Sequence, residues 1–131
     1  MRQDGWEVRL ADAVEAVRNA PFQWGQHDCA TWAADVRLAL TGQDAAAAWR
    51  GRYKSERGAL RVMRRMGFSA LEAGVTGLLG APLPTPLLAQ RGDVVLHGEA
   101  LGVCIGATGL FLGPDGLTEL PIAACRLAWR V

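Results

Sequence analysis

Apolar residues in the first third of the chain recur at helical spacing. Trp6, Leu10, Ala13, Val14 and Val17 fall on one stripe, with Glu7, Arg9, Asp12, Glu15 and Arg18 off it, which predicts an amphipathic helix ended by Asn19 and Pro21. A second helix is expected from Asp28, whose carboxylate can cap free backbone N–H groups, to Leu40, with Gly42 just past its end. The third runs from about Ser55 to Met66 on Leu60, Val62, Met63 and Met66, and Gly67 stops it. The fourth opens on Ser69-Ala70-Leu71-Glu72, a capping-box pattern, although Gly74 and Gly77 weaken it.

The pattern changes after Gly80. Pro82, Pro84 and Pro86 forbid a continuing helix and form an extended connector. Short apolar runs punctuated by glycine follow, at Asp93 to Leu96, Leu101 to Ile105, Leu110 to Leu112, Leu117 to Leu120 and Arg126 to Val131. These read as antiparallel strands, with Pro114-Asp115-Gly116 as a hairpin turn. Helices first and a small antiparallel sheet second is an α+β arrangement, and 131 residues are most economically one domain, 1–131.

Composition narrows the setting. The opening residues mix charged and apolar side chains, so a secretory signal is not expected, and no apolar run approaches the roughly 20 residues of a membrane span. Three cysteines, Cys29, Cys104 and Cys125, are an odd number without metal-ligand spacing. That points to reduced thiols made in a cytoplasm, with no metal and no cofactor implied. The net charge of +1 is unevenly spread, since Arg50, Arg52, Lys54, Arg57, Arg61, Arg64 and Arg65 are half of the 14 basic residues and only Glu56 opposes them locally.

The chemistry of interest lies in Trp24-Gly25-Gln26-His27-Asp28-Cys29. A cysteine in the first turn of a helix meets unpaired N–H groups and the positive end of the helix dipole, which favour thiolate over thiol. The plainer alternative is a small buried hydrophobe that packs the helix start against the sheet.

Order along the chain adds to this. Trp24-Gly25, Asp28-Cys29, Gly92-Asp93-Val94-Val95 and Gly102-Val103-Cys104-Ile105-Gly106 together resemble the NlpC-type branch of the papain-like cysteine peptidases, from about Trp24 to Leu112. The resemblance implies a papain-like fold and makes Cys29 the nucleophile. It also places the catalytic histidine at Ala100 and the orienting polar residue near Leu112, and neither side chain accepts a proton. His97 stands three residues before the histidine position and reaches Cys29 only if the hairpin bulges, because side chains alternate faces along a strand. His27 needs an unusual rotamer to reach the sulfur, and it otherwise packs beside Trp24 or bonds a loop carbonyl. Asp93 reads as a turn-forming acceptor.

The chain is also similar to small proteins encoded beside tail genes in phages and prophages, which look like degenerate relatives of these peptidases. They share the Trp-Gly-x-x-Asp-Cys opening, an Arg-Gly-x-Tyr segment (Arg50-Gly51-Arg52-Tyr53), the Gly-Asp-Val-Val strand, a Leu-Gly-Val-Cys strand and a closing Ala-Trp-Arg-Val (Ala128 to Val131). This implies a structural or assembly role at a tail tip, with tail hub or baseplate proteins as partners, in the virion tail after synthesis in the bacterial cytoplasm. The runner-up is an active peptidase or amidase that cuts peptidoglycan stem peptides during phage entry, with Cys29 attacking and His97 as base. A third reading is a cleft-binding module without chemistry.

For the binding readings, the candidate residues are Trp24 and Asp28 beside the cysteine, and Arg57, Arg61, Arg64 and Arg65, whose spacing gathers them on the exposed side of the third helix. Trp32 also flanks the start of the cysteine helix and with Trp24 could line a groove, though tryptophans at such positions are more often core residues. The basic face is either simply solvated or docks on an acidic partner surface. Nucleic acid is not an expected partner, because no aromatic platform interleaves the charges.

Overall fold

Asp28 and Gly42 bracket the helix on which the rest is assembled. A computed structural model describes residues Met1–Val131. Four helices, α1 (Trp6–Arg18), α2 (Cys29–Thr41), α3 (Glu56–Arg65) and α4 (Leu71–Leu79), precede strands β1 (Val94–His97), β2 (Ala100–Cys104), β3 (Thr108–Gly113), β4 (Gly116–Pro121) and β5 (Leu127–Trp129). The strands form one antiparallel sheet in the order β4-β3-β2-β1-β5. The α+β expectation holds at this level, and each predicted element lies within a few residues of its observed span. No helix is long and apolar enough to cross a membrane.

Asp28 Oδ1 accepts from the Thr31 backbone N–H (2.9 Å), and Thr31 Oγ1 accepts from that of Asp28 (2.8 Å), a reciprocal cap for α2. The start of α4 differs from expectation. Ala70 is its cap residue, with no side-chain bond, because Ser69 lies one position too early to reach the first turn. Gly74 and Gly77, which weaken the helix by propensity, leave room for the Phe68 ring, which a Cβ on Gly77 would meet at 2.6 Å.

Alternation along the strands divides the core between the two sheet faces. On one face Leu110, Leu112 and Val103 pack with Leu10, Val17, Trp32, Val36 and Leu40 of α1 and α2. Alongside, Val94, Leu96, Leu101 and Trp129 meet Ala33 of α2 and Val75 of α4. The opposite face buries Val95, Cys104, Phe111 and Ala128 beneath Ile122 and Cys125, which belong to a short 3₁₀ turn and its flank. Indole N–H bonds tie the layers: Trp32 donates to the Leu110 carbonyl (3.0 Å) and Trp129 to Thr76 Oγ1 (3.2 Å).

Candidate functional site

The Trp-Gly-x-x-Asp-Cys and Arg-Gly-x-Tyr segments, more than twenty residues apart, dock on each other. Gly25 adopts a positive φ, and any Cβ there would collide with the Tyr53 carbonyl, so glycine is required where the two segments cross. Across that contact the Gly51 N–H donates to the Gly25 carbonyl (3.0 Å). The Tyr53 hydroxyl donates to Asp28 Oδ2 at 2.5 Å, and the Gly25 N–H donates to the same oxygen at 2.8 Å. Asp28 is therefore buried with both oxygens engaged, a fixed acceptor at the start of α2. Arg50 anchors the incoming segment through Asp35 of α2 (2.7 Å) and Asp44 (3.0 Å), and its hydrogen bond and charge hold the Asp44 carboxyl below its usual range.

This construction fixes Cys29, the first residue of α2, against the start of β2 at Leu101. Burial pushes its thiol above the ordinary range. The backbone N–H groups of Leu101, Ala30 and Cys29 itself favour the thiolate, and the Asp28 charge opposes it. Burial and the Asp28 contact likewise raise the Tyr53 phenol strongly, so its proton stays in place. The helix-start position does not produce an activated thiolate here, because desolvation outweighs the backbone groups.

The base proposed from sequence does not reach it. His97 pairs with Ala100 across the β1–β2 hairpin without a bulge, and alternation puts both side chains on the sheet face away from α2. There the His97 Nδ1 bonds the Ala124 carbonyl (2.9 Å) and the ring packs edge-on to Phe111. Ala100 thus does not face the sulfur either, and the inward side chain at the start of β2 is Leu101. Leu112 lies in the core beside Val36 and Val103. His27 is exposed and held through its backbone by Gln23, while Phe22, not His27, packs on Trp24 (5.0 Å between ring centroids). Asp93 is buried and accepts from Gln90 N, Val131 N, Arg2 and Arg130, as a structural acceptor should.

A cleft beside Cys29 and Trp24 is expected from sequence, but not that α3 and α4 build its walls. A cavity of about 440 Å³, mostly apolar, opens between α2, α3, α4 and the β1–β2 hairpin, with Cys29, Asp28 and Trp24 at one end. Its walls include Met63 of α3 and Met66 at the end of that helix, Leu71 and Leu78 of α4, and Ala33 of α2. The signal for it was present in the apolar side of α3, which lacks an obvious partner elsewhere in the chain. Trp24 lines the cleft, whereas Trp32 belongs to the core. Arg57, Arg61, Arg64 and Arg65 project from the other side of α3, all exposed. No cluster of three histidine, cysteine or acidic side chains is placed to hold a metal ion.

These features define an α+β domain that presents a protonated thiol at the end of an open apolar cleft, with no histidine on its face of the sheet. The whole chain, residues 1–131, matches the family described as Domain of unknown function (DUF6950), and it belongs to that family. No curated protein and no solved structure matches it.

Proposed function

We propose that the chain is a non-catalytic component of a phage or prophage tail tip, built on a papain-like scaffold of the NlpC type, and that its cleft binds a tail hub or baseplate protein during assembly. The tail setting rests on the sequence resemblance. The observation that carries the non-catalytic part is that Cys29 packs against the apolar cluster of Leu101 and meets that residue's backbone N–H, with no proton-accepting side chain from β2. Nucleophilic cysteine chemistry needs a base within hydrogen-bond reach, and both Asp28 oxygens are already committed to N–H and O–H donors.

Alkylation of Cys29 by iodoacetamide at neutral pH tests this directly. The expected rate is no faster than that of a free thiol, and purified peptidoglycan incubated with the protein releases no stem-peptide fragments. Rapid alkylation together with fragment release that a Cys29→Ala variant abolishes would replace this reading by the peptidase or amidase one.

A further inference from the structure

α3 stands apart from the other three α-helices. It carries no buried residue, although Ala59, Val62 and Met63 on one side, and Met66 just past its end, are half-buried along the cleft. On its outer side Arg57, Arg61, Arg64 and Arg65 are exposed and form no ion pair; other arginines are also unpaired, but these four are gathered on one face of one helix. Leu60, also exposed, borders both the cleft and the cationic face. Apolar and cationic surfaces are therefore continuous around one helix.

We propose that α3 and the cleft beneath it receive an acidic amphipathic segment of a partner protein, whose apolar side chains enter the cleft while its carboxylates meet the arginines. This names the partner's chemistry for the assembly role above and rests on that reading. Three observations fix the class. A cleft of about 440 Å³ takes a few large side chains, and the methionines on its α3 wall adapt to differing shapes. The four guanidinium groups span residues 57 to 65, a run of about 12 Å along the helix axis. A ligand that answers all of them carries several negative charges over that length, as an acidic peptide does and a single fatty-acid carboxylate does not. Nucleic acid supplies the charges, but its bases stack on aromatic faces, and the α3 wall of the cleft offers Ala59, Val62, Met63 and Met66 instead.

The test uses a fluorescein-labelled helical peptide with leucines at i, i+3, i+4 and i+7 and glutamates flanking the stripe. A matched peptide carries lysines in place of the glutamates, and dodecanoate serves as competitor. Fluorescence anisotropy should show saturable binding of the acidic peptide, weakened by salt, and at least about tenfold weaker binding of the lysine peptide. The Arg61→Glu/Arg64→Glu double variant should reduce acidic-peptide affinity by about tenfold, mainly through slower association. Ala59→Trp, which fills the cleft from a helix with no buried residue, should abolish binding while leaving circular dichroism unchanged.

Equal binding of the two peptides, no binding of either, or unaltered affinity in the two variants overturns the proposal. Dodecanoate that displaces the peptide and binds the double variant undiminished assigns the cleft to an acyl chain instead. Slow Cys29 alkylation alongside failed peptide binding removes only the partner's chemistry, whereas rapid alkylation with peptidoglycan cleavage removes the assembly reading beneath it.

Discussion

The hydroxyl of Tyr53 bonds a buried carboxylate, so its removal costs more than an ordinary surface hydrogen bond. Tyr53→Phe leaves Asp28 Oδ2 with the Gly25 N–H alone. Bonds to charged groups contribute about 1.5–3 kcal/mol, and the unfolding free energy from urea titration should fall by an amount within that range, lowering the midpoint. An unchanged midpoint would mean that a water replaces the phenol without loss. The aspartate cap was legible from residue type, because Asp before a helical run is a strong N-terminal signal. Its second partner lies 25 residues away, and no local rule connects Asp28 to Tyr53. Strand parity decided His97 in the same way. Alternation argued against it from sequence, and the bulge-free register with Ala100 now places it on the far face. The same parity moves Ala100, which the motif puts in the histidine position, away from the sulfur.

Among the elements, α3 depends on its own propensity and cap more than any other helix. Ser55 Oγ accepts from the Gly58 N–H (3.0 Å), and little tertiary packing supports it. Amide exchange in α3 should therefore be much faster than in α2, and Ser55→Ala, at a cost of about 1 kcal/mol, should accelerate it further. Equal protection in the two helices would show that α3 is held by contacts stronger than those described. The sheet is sensitive for the opposite reason. A Cβ on Gly102 would stand 2.6 Å from the Phe111 ring and 2.8 Å from the Leu110 carbonyl. Gly102→Ala should destabilise by about 1–3 kcal/mol through overpacking, read from the thermal midpoint. Helices and strands were legible because period and punctuation changed together at Gly80. The capping box at Ser69 was misplaced because the pattern does not distinguish the cap position from its neighbour.

At the scale of the whole molecule, buried groups that lose protons decide how the fold responds to alkali. Burial raises the Cys29, Cys104 and Cys125 thiols and the Tyr53 phenol above their ordinary ranges. Between the ordinary and the raised value the folded state keeps a proton that the unfolded chain has released. Stability from each group is thus complete below its unfolded pKa and is lost as pH rises toward the folded one. Asp44 works in the other direction, lowered by Arg50, and its contribution is lost as pH falls; being well solvated, it gives only a small acid limb. The unfolding free energy from urea titration should accordingly decline from about pH 8 to about pH 10, with a slope of at most about 1.4 kcal/mol per pH unit for each proton retained. Cys29→Ala tests the assignment, since it deletes one titrating group at the mouth of the cleft while leaving the Asp28 cap. Its alkaline decline should be shallower than that of the parent chain, and identical slopes would show that Cys29 ionises in the fold as freely as in the unfolded chain. In that case the thiol is accessible and acidic enough to react, and the desolvation that argues against catalysis no longer stands.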